Sequence, residues 1–238
     1  MIDSSLVPAV RDGLAELADE SKAAGMRAYM KSALPYRGVP APGQDRLFRR
    51  VFAEHQLVGF DAWRDTVLAL WREAGYREER YAAIALSGHR YYRDHQRPAC
   101  LPIYDEMVVD GAWWDYVDAV AIHRIGPMVS AYPDELKPLI RRWSTDPDRW
   151  RRRTSIICQV VAKGTADLDL LYACIEPNLD DRDFFIRKAI GWALRQYAWI
   201  DPDEIERYVA ARGDRLSGLS RREALKNLAK IRLRSAAE

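Results

Sequence analysis

An acidic residue and an indole stand four positions apart in the segment WWDYVD, which occupies positions 113–118. On a helix, Trp114 and Asp118 share one face, with the ring one turn away from the carboxylate. Two adjacent indoles cannot both point into a core, so the pattern predicts that one of them is exposed beside the acid. The structural alternative makes Asp118 a surface ion-pair partner and Trp114 a packing residue between repeats.

A further indole, Trp192, follows Gly191 in the middle of a segment with helical periodicity. A glycine inside a helix costs about 0.8–1 kcal/mol relative to alanine, so it usually marks a place where another backbone comes close. Taken alone, Trp192 fits a core position, because large apolar rings are highly buried on average. The buried stripe of the same helix is predicted to consist of Ile186, Ala189, Ile190, Ala193 and Tyr197.

Arginines surround Trp150, with one before it and an unbroken run of them after it. Arg149 lies three and four residues before Arg152 and Arg153, so these side chains share a broad helix face. A guanidinium group is a planar fork of donors that matches phosphate, and one of these arginines could hold a DNA backbone. A solvated basic face is the structural alternative.

The net charge of +2 hides a segregation of charge along the chain. Positions 137–153 and 207–234 are strongly basic and contain few acids. Such clusters suit a polyanionic partner, because each Lys or Arg that meets a phosphate releases condensed counterions. Solvated helix faces would give the same pattern.

The elements that must position these residues are helices, since few alternating apolar and polar runs predict strands. The segment 148–157 can be laid over 183–192, and each has an acid, an aromatic ring, basic residues and an apolar stripe in the same order. Such an echo predicts HEAT-like helix pairs that stack into an α-solenoid with a concave face. We expect one continuous domain over residues 1–238. The predicted helices cover residues 5–21, 24–33, 43–55, 60–73, 77–92, 98–109, 113–125, 134–143, 148–162, 166–176, 182–198, 202–211 and 218–233.

The composition, with 48% hydrophobic and 30% charged residues, is typical of a globular protein and excludes a disordered chain. The N-terminal segment carries acids where a signal peptide would need a basic start and an apolar run, so we expect a cytoplasmic protein without a membrane partner. The three cysteines lack the C-x-x-C spacing of zinc sites, and the four histidines are scattered. We expect ordinary buried thiols, no metal and no cofactor.

Three segments together resemble the AlkD-like DNA alkylation repair glycosylases: WWDYVD at 113–118, WRRR at 150–153 and FIRKAIGWALR at 185–195. The segment AYMK at 28–31 extends the resemblance towards the N-terminus. Order and spacing match over nearly the whole chain. The resemblance implies a crescent of HEAT-like repeats whose concave face holds duplex DNA, on which the protein acts as a monomer while associated with the nucleoid.

The resemblance also implies roles for individual residues. It gives Asp118 the catalytic role, places Trp114, Trp192 and Tyr29 at the lesion, and places Arg153 at the DNA backbone. We expect further contacts to the backbone from neighbouring cations, namely Arg152, Arg149, Lys188 and Arg195.

The activity implied is hydrolysis of the N-glycosidic bond of cationic N3- or N7-alkylated purines, without flipping of the base. Cleavage builds positive charge on the sugar, which Asp118 could stabilise while it positions water. No lysine stands beside Asp118 to act as a Schiff-base nucleophile, which favours a monofunctional glycosylase. The alternative function is a non-catalytic HEAT-repeat scaffold that binds DNA structures or a protein.

Overall fold

Helices account for all regular secondary structure in residues 5–235, which is the part of the chain that the computed structural model describes. The predicted all-α class is therefore confirmed. The chain divides into two compact units, one up to Gln96 and one from Arg97 onward. Each unit has its own buried core. The single continuous array of repeats stays a prediction.

The first unit contains five α-helices and a 3-10 helix among its described residues. Its core is built from apolar stripes such as Leu47, Phe48, Val51 and Phe52 on one face of α3. The elements are α1 (Leu6–Glu16), α2 (Glu20–Met30), α3 (Ala41–Glu54), α4 (Phe60–Arg72), α5 (Arg77–Ser87) and the 3-10 helix Arg90–His95.

The Pro-rich loop between α2 and α3 is held by the carboxylate of Glu78, a fully buried residue of α5. Its Oε1 accepts hydrogen bonds from the backbone N–H groups of Arg37 at 3.0 Å, Gly38 at 2.9 Å and Val39 at 3.2 Å. Buried backbone N–H groups need hydrogen-bond partners, and this one side chain supplies the partner for three of them in the loop. The loop is thus an ordered connection within the unit.

The second unit contains the segments that carry the resemblance. Its helices are α6 (Leu101–Gly111), α7 (Trp114–Val120), a π-helical turn (Ala121–Ile125), α8 (Gly126–Ala131), α9 (Pro133–Trp143), α10 (Arg149–Ile157), α11 (Leu168–Ile175), α12 (Phe184–Tyr197), α13 (Pro202–Arg212), α14 (Gly218–Leu225) and α15 (Leu228–Ser235). Short 3-10 turns lie between some of them, at Pro98–Cys100, Lys163–Thr165, Glu176–Asn178 and Gly213–Arg215.

Alternate helices of the second unit stack on one another: α10 packs against α12, and α12 packs against α14. The equivalent helices α10 and α12 begin in the same way, because Asp148 and Asp183 accept hydrogen bonds from the backbone N–H groups that follow them. Such a cap satisfies donors that a helix start leaves unpaired. The repeat inferred from positions 148–157 and 183–192 is therefore present in the packing.

Several helix ends differ from those predicted. The helix predicted over 148–162 ends at Ile157, and Lys163 adopts a positive φ of 51° in the turn that follows. The helix predicted over 77–92 ends at Ser87, before Gly88. The helix α8 was not among the predicted helices, which left residues 126–133 unassigned. Pro127 lies in the first turn of α8, where a residue without an N–H costs little.

All three cysteines, Cys100, Cys158 and Cys174, are free and buried, which confirms the prediction of ordinary buried thiols. Burial raises the pKa of each of these thiols, in the case of Cys174 to about 12. Among residues 5–235, no helix combines the length and the apolar composition that a bilayer crossing requires.

Candidate active site

Asp118 lies in the last turn of α7 and meets Arg153 of α10. The guanidinium donates from Nε to one carboxylate oxygen and from Nη2 to the other, each at 2.7 Å. The side chain of Asp118 is 14% exposed and that of Arg153 is 6% exposed. The pair is thus largely desolvated, while Asp118 keeps a small opening to solvent. A two-point contact of this kind fixes the orientation of the carboxylate as well as its charge.

The backbone that follows Asp118 also comes close to the end of α10. Residues Ala121–Ile125 form a π-helical turn, a feature that often occurs at functional sites. Gly126 comes next, and a Cβ atom there would lie 2.0 Å from the carbonyl oxygen of Cys158 at the end of α10. Only glycine fits this close contact between the start of α8 and the end of α10.

Arg153 makes a third hydrogen bond that ties the pair to the start of α12. Its Nη1 donates to the backbone carbonyl of Phe185 at 2.6 Å. The Phe185 ring packs between two indoles, with centroid distances of 5.6 Å to Trp113 and 5.0 Å to Trp150. The ion pair is thus joined to an aromatic cluster through the carbonyl of Phe185. Phe185 is a site residue that the sequence interpretation did not assign.

Burial raises the pKa of Asp118 above its usual value, while the hydrogen bonds and positive charge of Arg153 oppose the rise and nearby Asp115 adds to it. Loss of water favours the neutral acid, and a guanidinium at 2.7 Å favours the carboxylate. The two effects leave a carboxylate whose protonation depends on its single cationic partner. Such a group could stabilise positive charge that develops nearby.

Both predicted lesion-binding indoles of this unit are partly exposed. Trp114 lies one turn before Asp118 on α7, and Trp192 lies in the second half of α12. Trp192 shares a helix face with Lys188 and Arg195, because these residues are four before and three after it. Trp192 is therefore not fully buried, whereas its sequence context taken alone favoured a core position.

The other cations predicted to bind the DNA backbone all have acidic partners within the unit. Arg149 lies 3.1 Å from Asp183, and Arg152 lies 3.1 Å from Asp181. Their predicted role with phosphate therefore requires that the phosphate compete with a carboxylate. Lys188 and Arg195 both pair with the same acid, Glu223 of α14, and the Lys188 amine lies 2.8 Å from its carboxylate.

Glu223 was also missing from the residues that the sequence interpretation assigned to the site. Asp118 and Arg153 are 35 residues apart, and so are Lys188 and Glu223. Because Arg153 and Lys188 are also 35 residues apart, all four occupy equivalent positions in successive repeats. Extension of the observed 35-residue echo by one more period would have identified Glu223 from the sequence.

Tyr29 belongs to the first unit, on α2, and its side chain is 77% exposed. It lines an open hollow of about 310 Å³ together with Met30, Tyr36 and Tyr81 among other residues. Tyr36 and Tyr81 are joined there by a hydrogen bond of 2.8 Å between their hydroxyl groups. The placement of Tyr29 beside the other site residues stays a prediction.

No group of three or more His, Cys, Asp or Glu side chains within residues 5–235 is arranged to hold a metal ion.

Comparison with known proteins gives concordant findings. The family model for DNA alkylation repair enzymes matches residues 10–228. The fold is similar to a solved structure described as a predicted DNA alkylation repair enzyme from Enterococcus faecalis, with a TM-score of 0.78 and 30% sequence identity. That similarity covers 90% of this chain and 97% of the other. No curated protein matches the sequence.

Proposed function

Because this chain belongs to the DNA alkylation repair enzyme family, we propose that it hydrolyses the N-glycosidic bond of cationic N3- or N7-alkylated purines in duplex DNA. Asp118 is the catalytic residue in this proposal. The observation that carries it is the carboxylate of Asp118, which is partly open to solvent, fixed by Arg153 and one turn from the Trp114 indole.

The chemistry suits a site with one acid. Alkylation at N3 or N7 gives the purine a formal positive charge, so the base leaves without a general acid. As the C1′–N bond breaks, its electron pair neutralises the purine, and positive charge develops on the deoxyribose. Water then bonds to C1′ and releases a proton. The carboxylate of Asp118 stabilises the sugar cation and orients the water.

The indoles of Trp114 and Trp192 contribute cation–π attraction in this proposal. Each exposed ring face attracts a nearby cation by roughly 0.5–2 kcal/mol, depending on solvation. The alkylated purine and the deoxyribose are both cationic at some point along the reaction, so the rings favour damaged nucleotides over neutral ones. The proposed enzyme therefore needs no deep pocket for a flipped base.

The duplex is held by cations of the second unit. Arg149 is the most exposed of those predicted to meet phosphate, at 46% of its side chain. In the proposed mode one chain acts as a monomer, with HEAT-like repeats that present Asp118, Trp114 and Trp192 to the damaged strand. The proposed activity is monofunctional, because the attacking group is water rather than an amine.

Asp118→Asn tests the assignment. The amide keeps the shape but not the charge, so we expect the rate of base release to fall by a factor of about 100 or more. Affinity for duplex DNA should stay within a few-fold. The measurement is mass spectrometry of free alkylpurines released from methylated DNA, under single-turnover conditions.

Asp134→Asn is the matched control, because Asp134 is an exposed residue of the first turn of α9 in the same unit. It should release bases at the wild-type rate. Wild-type activity in Asp118→Asn would remove Asp118 from the mechanism. If the unaltered protein bound DNA but released no base, a non-catalytic DNA-binding platform would replace the glycosylase.

A further inference from the structure

One acid of α14, Glu223, holds two cations of α12. Its carboxylate accepts hydrogen bonds from Nζ of Lys188 at 2.8 Å and from Nη1 of Arg195. The side chain of Glu223 is 17% exposed, and those of Lys188 and Arg195 are 39% and 18% exposed. These are the two cations that flank Trp192 on its helix face.

The position of Glu223 depends on the glycine in the middle of α12. A Cβ atom on Gly191 would lie 2.5 Å from Cβ of Glu223 and 2.7 Å from the backbone oxygen of Ser220. The backbone of α14 therefore rests directly on Gly191, three residues after Lys188 and four before Arg195. Glu223 therefore lies between Lys188 and Arg195, against the only glycine of α12.

The carboxylate of Glu223 is ionised at neutral pH, because Lys188 and Arg195 lower its pKa. A phosphate that approaches Lys188 or Arg195 must therefore displace a carboxylate or share the cation with it. Glu223 also repels the phosphate directly. Both effects weaken attraction to the duplex beside Trp192, whatever the base sequence.

We propose that Glu223 limits the affinity of this face for the phosphate backbone of duplex DNA, undamaged duplex included, because it occupies the two cations beside Trp192. The benefit of this weaker binding rests on the proposed function, because only an enzyme that searches DNA for lesions gains from it. Attraction to phosphate is the same for damaged and undamaged DNA, so its reduction leaves the preference for a lesion to the indoles and Asp118. A protein that must find rare lesions then spends less time bound to undamaged duplex.

Glu223→Gln tests the proposal with a gain of binding. We expect the amide variant to bind a short undamaged duplex roughly three- to tenfold more tightly at low salt. A plot of the logarithm of affinity against the logarithm of salt concentration should steepen by about 0.9 for each additional phosphate that the variant binds. With damaged DNA held below its Kd, a fixed excess of undamaged DNA should then inhibit base release by the variant more strongly than release by the unaltered protein.

Glu176→Gln is the matched control. Glu176 is also a partly buried acid of the second unit paired with an arginine, Arg212, so the change of net charge is the same. It should bind undamaged duplex much as the unaltered protein does and leave base release unchanged. Thermal unfolding followed by circular dichroism checks that each variant is folded.

A second experiment removes the cations themselves. With both Lys188 and Arg195 replaced by Gln, the additional change Glu223→Gln should raise affinity by less than it does in the unaltered protein, because only the direct repulsion of phosphate is then removed. If Glu223→Gln does not fold, Glu223→Asp takes its place, since a side chain shorter by one methylene should release one cation and shift affinity in the same direction.

The proposal is overturned if Glu223→Gln binds undamaged duplex no more tightly than Glu176→Gln. It is also overturned if the gain is undiminished without Lys188 and Arg195. Binding to undamaged DNA is measured without any excision, so this result is separate from the proposed function. Absence of base release by the unaltered protein would count against the glycosylase alone.

Discussion

At the scale of single residues, the site depends on how Arg153 balances the burial of Asp118. A carboxylate taken out of water without a partner becomes a neutral acid, which could not stabilise a sugar cation. Arg153 supplies both the charge and the orientation, and it is itself fixed by the carbonyl of Phe185. This arrangement makes Arg153 a positioning residue first, and a ligand of the DNA backbone only if phosphate reaches its few exposed atoms.

Replacement of Arg153 by Met should shift the pH dependence of base release. The pKa of Asp118 is already raised by burial, and loss of Arg153 removes the contribution that opposes the rise. A higher pKa means that the active carboxylate is lost at a higher pH on acidification. We therefore expect the acidic limb of the profile of single-turnover rate against pH to move to higher pH.

Arg153→Lys is the control for this shift, because it keeps the positive charge and loses only the two-point geometry. Its acidic limb should stay nearer that of the unaltered protein, although the rate itself falls. An unchanged acidic limb in Arg153→Met would mean that Arg153 does not control the ionisation of Asp118.

The types and spacing of residues could predict part of this site. Helical geometry places Asp118 and Trp114 on one face, since they stand four apart on one helix, and the family resemblance gave them their predicted roles. The pairing of Asp118 with Arg153 could not be predicted in this way, because it depends on the contact between α7 and α10, and the sequence interpretation placed Arg153 at the DNA backbone. Phe185 was missed since it acts through a backbone carbonyl, which side-chain patterns do not show.

At the scale of elements, close helix packing explains the glycine in α12. The sequence interpretation took Gly191 as a mark of close approach, and α14 does lie directly against it. The partner helix could not be identified from composition, because any helix one repeat away could have filled this place.

Gly191→Ala should lower the free energy of unfolding by about 1–3 kcal/mol, because the new Cβ atom would overlap the backbone of α14. It would also push Glu223 away from Lys188 and Arg195. The control is Gly25→Ala at an exposed position of α2, where a Cβ atom would meet nothing within 4 Å. That change should stabilise the protein by about 0.5–1 kcal/mol. Thermal unfolding measures both, and equal effects would contradict the packing described for Gly191.

The Pro-rich loop of the first unit depends on another single side chain. Glu78→Gln replaces a carboxylate that accepts several backbone N–H groups by an amide, half of which is a donor. We expect a loss of about 1–3 kcal/mol in the free energy of unfolding. Denaturant unfolding compared with Glu54→Gln, an exposed change on α3, measures the difference. Equal stability of the two variants would show that the loop does not need the carboxylate.

The sequence predicted the existence of most helices and missed several of their ends. Hydrophobic periodicity predicted α10 and α12 because each buries a regular stripe, but it extended α10 through residues 158–162, where apolar side chains continue beyond the last helical turn. Periodicity reports burial, and buried residues also occur in turns.

At the scale of the whole molecule, charge is arranged in local pairs. The chain has 37 Lys and Arg residues against 35 Asp and Glu residues, and basic runs that look unopposed in the sequence find acids from other repeats. Arg151, for example, lies 2.7 Å from Asp105 of α6. Sequence neighbours could not predict this, since the partners are brought together only by stacking of the helices.

Affinity for duplex DNA should nevertheless fall as salt rises. Each bound phosphate contributes about −0.9 to the slope of the logarithm of affinity against the logarithm of salt concentration. Arg149→Gln should reduce the magnitude of the slope by about this amount, because nearly half of its side chain is exposed. Arg152→Gln should have less effect, as its side chain is only 19% exposed. An affinity insensitive to salt would contradict a phosphate footprint.

The buried thiols have a consequence for a protein of this family. Alkylating agents are electrophiles, and thiolates are among the most reactive nucleophiles that they meet in a cell. Cys100, Cys158 and Cys174 have no such reactivity to offer, because each is at most 1% exposed and burial keeps each protonated. A dose of methylating agent that damages the genome should therefore leave these three thiols unmodified.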